Sequence, residues 1–265
     1  MSTRLIFGFH AVTAKLRHDP EAVREILLDA DRREKGDKRV QDLLRHIELN
    51  NVRLSLLDGR RLDAMLPDVR HQGVVARLEG GRKAIFIDDV LDTLETPPFL
   101  LALDGVTDPR NLGACLRVAD GAGVHAVIAP RDRAVGLTDT AIKAASGAAE
   151  SVPYIPVTNL ARTLRELKER DIHIIGAAGE AQQSLYAAQW PAATVWVLGA
   201  EGKGLRRLTL ETCDQLVHIP MQGSTESLNV SVAAGVCLFE AFRRRRTEDR
   251  GQRTVDLRRV TAPYG

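Results

Sequence analysis

With 265 residues, 44% of them hydrophobic and 27% charged, the chain has an ordinary globular composition, enough for one large core or two smaller ones. No apolar run approaches the length of a membrane span. Met1 to Lys15 lacks the charged head, apolar core and small-residue cleavage site of a secretory leader, so a cytoplasmic protein with no membrane partner is expected. A net charge of +2 excludes nothing about nucleic acid.

The basic residues do cluster, at Arg32 to Arg39, Arg131 to Arg133, Arg206-Arg207, Arg243 to Arg246 and Arg250 to Arg259. Each cluster taken alone reads as a solvated helix end or loop, because cations favour helix C-termini. The three cysteines, Cys115, Cys213 and Cys237, are odd in number and far apart, with neither a CxxC nor a Cys/His ligand spacing. They indicate no disulfide framework and no metal site; Cys115 and Cys237 read as small buried apolar groups.

From the amino terminus, residues 1–77 read as a small α/β unit. Helices are expected at His10 to Leu16, Ala22 to Ala30 and Arg39 to Leu49, with short apolar runs at Val52 to Leu57 and Gly73 to Ala76. Residues 78–98 have linker composition, running from Gly80-Gly-Arg-Lys83 to Thr96-Pro-Pro98. A second domain, 99–246, then alternates regularly. Strands are expected at Leu100 to Asp104, Val124 to Ala129, Ile172 to Ala177, Val195 to Gly199 and Leu216 to Ile219. Helices are expected at Pro109 to Ala122, Thr138 to Ser146, Leu160 to Arg170 and Leu228 to Arg245. That alternation argues for a parallel α/β sheet. Residues 247–265 read as a basic, flexible tail.

Three strand-to-loop-to-helix junctions stand out in the second domain: Leu103 to Gly113, Leu198 to Leu205 and Ile219 to Ser231. Loops at the carboxyl ends of a parallel sheet converge on ligands, so the three are expected to form one site. In the first, Asp108 caps the helix, Pro109 takes its first position, and Arg110, Ala114 and Arg117 share a face away from the buried stripe. An arginine there, beside Asn111, suits a phosphate or an oxyanion as well as it suits a plain surface position. Asp104 and Asp108 read as turn and cap residues rather than as a catalytic carboxylate pair.

The second loop orders its glycines GxxGxG, which is neither the dinucleotide fingerprint nor the phosphate-binding loop. It allows close backbone approach, with Glu201 at the rim. The third collects Ser224, Thr225, Ser227 and Asn229, more short polar side chains than one helix cap needs.

Together the three segments closely resemble the motifs of the SpoU (TrmH) family of S-adenosylmethionine-dependent RNA ribose 2'-O-methyltransferases, in the SPOUT class. The likeness extends to Phe7-Gly-Phe-His-Ala-Val12, His71-Gln-Gly-Val-Val-Ala76 and Gly147-Ala-Ala-Glu-Ser-Val-Pro153, and covers nearly everything up to about residue 245. It implies a trefoil-knotted, parallel-sheet methyltransferase domain, a small amino-terminal RNA-binding domain like ribosomal protein L30e, and a homodimer. By motif position it implies that Gly199, Ile219 and Leu228 hold the methyl donor, S-adenosylmethionine, without a metal. Asn111, Arg117, Glu201, Ser227 and Asn229 carry over as the catalytic set.

The substrate the resemblance favours is a guanosine ribose of 23S rRNA, in the peptidyl-transferase region, either in free RNA or in a ribosomal assembly particle. The same chemistry on tRNA, or a non-catalytic RNA-binding assembly factor, are the alternatives. A nicotinamide-dependent dehydrogenase would fit the alternation but not the glycine spacing.

Overall fold

The computed structural model describes residues 3–67, 69, 71–79, 85–225 and 227–260. The amino-terminal unit runs β1 (Thr3–Phe7), α1 (Phe9–His18), a 3-10 turn (Pro20–Ala22), β2 (Val23–Asp29), α2 (Ala30–Lys35), α3 (Lys38–Leu49), β3 (Arg53–Leu57), α4 (Gly59–Met65) and β4 (Val74–Glu79). Its four-stranded sheet has the order β1-β4-β2-β3, antiparallel except for the β2/β3 pair.

The segment expected as a helix over Ala22 to Ala30 is the strand β2, and the reason is its position in the sheet. β2 lies between β4 and β3 with apolar residues on both faces. Ile26 and Leu28 join the cluster under α1 and α3, while Leu27 turns to the opposite face against Leu62 and Val75. A strand covered on both sides is apolar without alternation, and so mimics one turn of a buried helix.

The second unit continues with α5 (Ile87–Leu91), β5 (Phe99–Asp104), α6 (Pro109–Ala122), β6 (Ala126–Pro130), α7 (Asp139–Ala145), α8 (Ala148–Ser151), β7 (Tyr154–Val157), α9 (Leu160–Lys168), β8 (His173–Ala177), β9 (Gln183–Ser184), β10 (Thr194–Gly199), α10 (Arg207–Thr212), β11 (Gln215–His218) and α11 (Val230–Val260). Seven strands in the order β7-β6-β5-β10-β8-β11-β9 pair parallel throughout.

Side-chain alternation along the central strands feeds two cores. Leu101, Leu103, Trp196 and Leu198 face α6, α7 and α11 and form the upper core; Leu100, Ala102, Val195 and Val197 face α5 and α9 and form the lower core. Both faces of the sheet are covered, as a parallel sheet requires.

The ends of these helices have local causes. Asp108 caps α6 by accepting from the Arg110 amide at 2.7 Å, Pro109 follows it, and Gly123 closes the helix at φ 76°. Asn159 caps α9. The region of linker composition contains α5, whose Val90 packs on the lower core. The helix expected to stop at Arg245 continues to Val260, so backbone that read as tail is helical as far as that residue. The remainder of that segment, 261–265, lies outside the described residues. Among the described residues no helix is long and apolar enough to cross a membrane.

Candidate methyl-transfer site

The carboxyl ends of β5 and β10 are neighbours, with Gly199 in register with Asp104. β11 lies one strand further on, beyond β8. The loops leaving these three strands bring Asn111, Glu201 and Asn229 into one hydrogen-bonded cluster. Asn229 Nδ2 lies 3.1 Å from Asn111 Oδ1 and 3.5 Å from Glu201 Oε2, and Asn111 Nδ2 lies 3.5 Å from the same carboxylate oxygen.

The cluster has a fixed polarity. Asn229 Oδ1 accepts from the Ser231 amide at 2.9 Å and from the Ser231 hydroxyl at 2.6 Å, capping the start of α11. Its amide nitrogen is therefore the end that faces the other loops. Asn111, having given its oxygen to Asn229, turns its own nitrogen to Glu201.

Two further expected residues stand apart from that cluster. Arg117 and Ser227 are exposed, and among the described residues neither side chain makes a hydrogen bond or ion pair. Six residues separate Asn111 from Arg117, which at about 100° per residue places them about 120° apart around α6. Arg117 instead shares a face with Arg110.

The three residues expected to hold the methyl donor line the same junctions. Gly199 ends β10, where the chain turns back so tightly that the Gly204 amide donates to the Ala200 carbonyl at 2.9 Å. A Cβ at Gly199 would stand 2.1 Å from the Gly204 carbonyl carbon, so only glycine fits. Ile219 and Leu228 are half-buried at either end of the third loop, Ile219 against the upper core. A tight glycine turn beside apolar side chains fits an adenosine group read by main-chain hydrogen bonds.

Sequence reasoning missed one structural link. Asp104 does not shape a turn; its fully buried carboxylate accepts from the Arg206 amide, 102 residues later, at 2.9 Å. The Arg206 guanidinium lies 3.5 Å from the other carboxylate oxygen and donates to the Arg133 carbonyl at 3.3 Å. Arg206 thereby ties together the loops after β5, β6 and β10. Its only sequence signal was membership of a basic pair. Cys115, between Asn111 and Arg117 on α6, is fully buried, and burial pushes its thiol up to about 12.

A family model described as "SpoU rRNA Methylase family" matches residues 98–239, over the sheet and all three loops. The chain belongs to this SpoU family. A second model, "RNA 2'-O ribose methyltransferase substrate binding", matches residues 5–83. Among SpoU relatives, a protein of Ralstonia nicotianae named 23S rRNA (guanosine-2'-O-)-methyltransferase RlmB is 60% identical across 92% of this chain and 96% of its own. A namesake from Nitrosomonas europaea is 52% identical across 98% of this chain and 97% of its own. The fold is shared with the SpoU methyltransferase AviRb from Streptomyces viridochromogenes, solved with AdoMet. That match has a TM-score of 0.70 at 24% identity and covers 92% of this chain and 91% of that one.

Proposed function

We propose that the chain is an S-adenosylmethionine-dependent methyltransferase that modifies the 2'-hydroxyl of a guanosine in 23S rRNA. The observation that carries this reading is the convergence of Asn111, Glu201 and Asn229 from three loops. It occurs in a chain that follows, over nearly its whole length, relatives named for that reaction. When bound, the donor supplies a methyl carbon activated by an adjacent sulfonium. Gly199, Ile219 and Leu228 hold it, and family membership implies the trefoil-knotted threading that brings these backbone segments together.

The remaining residues act on the RNA. A ribose hydroxyl is a weak nucleophile, and general base help is worth roughly 10²–10⁴-fold. A guanidinium has no lone pair to accept the proton, so Arg117 acts by fixing the neighbouring phosphate and stabilising developing negative charge. The proton leaves through another group or water. Asn111, Asn229 and Glu201 orient the ribose edge, and Ser227, outside their hydrogen-bonded cluster, contacts the RNA from the exposed third loop.

Within one chain Arg117 lies away from that cluster, which supports a homodimer in which each copy completes the other's site. Val232 and Phe239, 51% and 47% exposed on α11, give the contact an apolar centre. The substrate is 23S rRNA, free or within an assembly particle, met in the cytoplasm.

The test is incubation of the protein with methyl-labelled S-adenosylmethionine and either unmodified 23S rRNA or tRNA. Label in 23S rRNA at an alkali-resistant linkage supports the reading. Label in tRNA alone moves the protein to the sister activity, and label in neither removes the enzymatic reading.

A further inference from the structure

Between the amino-terminal unit and α7 lies a cleft of about 260 Å³ that the methyl-transfer site does not use. Phe7, His10 and Gln72 line it from the amino-terminal unit, and Asp139, Lys143 and Ser146 from α7 and its end. None of them bonds to the Asn111, Glu201 and Asn229 cluster. The two units meet closely beside it. Gly147 adopts φ 98°, and a Cβ there would stand 2.7 Å from the His10 carbonyl oxygen. Lys15 Nζ lies 3.8 Å from Glu150 Oε2, tying α1 to α8.

The lining combines groups of a particular kind. Lys143 Nζ lies 5.9 Å from the centroid of the Phe7 ring, which puts a cation and an aromatic face together. Gln72 sits at φ 56° on a turn built by His71. That buried imidazole accepts the Gly73 amide at Nδ1, 3.0 Å, and meets Asp63 through Nε2 at 2.8 Å. Among the described residues, the side chains of His10, Gln72 and Ser146 make no hydrogen bond within the protein, and Lys143 makes neither a hydrogen bond nor an ion pair. Three of the stretches shared with the family meet at this cleft, and the methyl-transfer chemistry assigns none of them a role.

An aromatic face, one cation and uncommitted donors and acceptors are what proteins use to take up an unstacked RNA base. The volume lies just below the roughly 300–1,000 Å³ of sites for whole drug-sized ligands, which suits one nucleotide and excludes a duplex. We infer that the cleft captures a single unstacked nucleotide of the RNA substrate, distinct from the one methylated. The base lies on Phe7, Gln72, His10, Ser146 and Asp139 read its edge, and Lys143 meets the adjoining phosphate. The inference takes its substrate class from the RNA-methyltransferase reading above.

The test compares full-length wild type with Phe7→Leu, Lys143→Ala and His10→Ala for binding to unmodified 23S rRNA across a salt series. S-adenosylmethionine binding and Tm serve as folding controls, and methyl incorporation is read in parallel. Phe7→Leu keeps an apolar group beside Leu27 and Leu62 but removes the ring. The expected result is an RNA Kd raised roughly fivefold or more by Phe7→Leu. Lys143→Ala is expected to make the slope of log K against log salt shallower by about 0.7, the share of one single-strand phosphate. Donor affinity stays within twofold in every variant.

An unchanged Kd for Phe7→Leu overturns the inference, even if Lys143→Ala weakens binding, because charge alone would then explain the contact. Methylation by a wild type whose RNA affinity ignores the cleft sinks the cleft alone. Cleft-dependent binding without methylation upholds the cleft and sinks the enzymatic reading.

Discussion

The Asp104 carboxylate, fully buried at the end of β5, receives the backbone amide of Arg206 at 2.9 Å, while the Arg206 guanidinium lies 3.5 Å from its second oxygen. One acidic side chain thus anchors the start of the Asn111 loop to the end of the Glu201 loop. Arg206→Ala leaves a buried carboxylate oxygen without its cation, at a cost of about 1–3 kcal/mol. The variant is expected to show a lowered Tm and a larger fractional loss of methyl transfer than of donor affinity. Arg206→Lys, which keeps the charge but not the planar fork, is expected to recover stability more fully than activity. Equal recovery of both would show that the pair only stabilises the fold.

Gly199→Ala is the sharpest probe of the second loop. Its new methyl would meet the Gly204 carbonyl carbon at 2.1 Å, so the turn over Ala200 to Gly204 must open. Titration calorimetry is expected to show S-adenosylmethionine affinity down at least tenfold, about 1.4 kcal/mol, with the central sheet intact by circular dichroism. Unaltered affinity would place the donor elsewhere.

Asn229 serves two purposes that substitution can separate. Asn229→Asp keeps an oxygen for the Ser231 amide, so the cap on α11 survives, but it removes the donor that joins Asn111 and sets a carboxylate near Glu201. Asn229→Ala loses cap and donor together and is expected to cost about 1 kcal/mol more in stability. Both variants are expected to lower kcat by roughly 10²–10³-fold, the scale of a lost active-site hydrogen bond. A fully active Asn229→Asp would mean that the cluster orients nothing.

The acid side of the stability profile has one strong contributor on α11. Glu240 accepts from Arg243 Nε and Nη2, both at 2.8 Å, and from Arg244 Nε at 2.7 Å, and these bonds hold its carboxyl down to about 2 from an ordinary 4.5. A depressed carboxylate stabilises the fold fully above its unfolded value and loses that contribution as pH falls through the folded one. In urea unfolding, the stability gap between wild type and Glu240→Gln is therefore expected to be widest above pH 4.5 and to close toward pH 2. A gap independent of pH over that range would show that the arginines do not hold the carboxylate.

Legibility from sequence followed the physics of each segment. Helix α6 was readable because Asp108 and Pro109 force its start and Gly121 and Gly123 mark its end, of which the structure uses Gly123. The central strands β5, β8 and β10 were readable because each is a compact apolar run, with helices of clear period before β8 and after β5. β2 was not, since its two-sided burial depends on β3 and β4, which only the folded sheet supplies. The two-residue β9 and the short α8 and α10 are set by their neighbours rather than by any run of their own.

The same division holds at the site. Asn111, Glu201 and Asn229 were legible because their loops resemble a known family's motifs, where composition alone left each reading open, and the structure brings their side chains together. The Asp104 to Arg206 link was not legible, because nothing in either neighbourhood marks a contact across 102 residues. Arg117 was singled out by its position in the first of those motifs, yet in one copy of the chain it takes no part in the hydrogen-bonded cluster.

The most direct measurement is nucleoside mass spectrometry of unmodified 23S rRNA treated with the protein and S-adenosylmethionine, alongside RNA treated with Arg117→Ala. The expected result is 2'-O-methylguanosine from wild type, reduced roughly 10²-fold or more in rate by the variant. A methyl group on a base, or on the ribose of another nucleoside, would contradict the assigned reaction, and an undiminished rate from Arg117→Ala would contradict the assigned site.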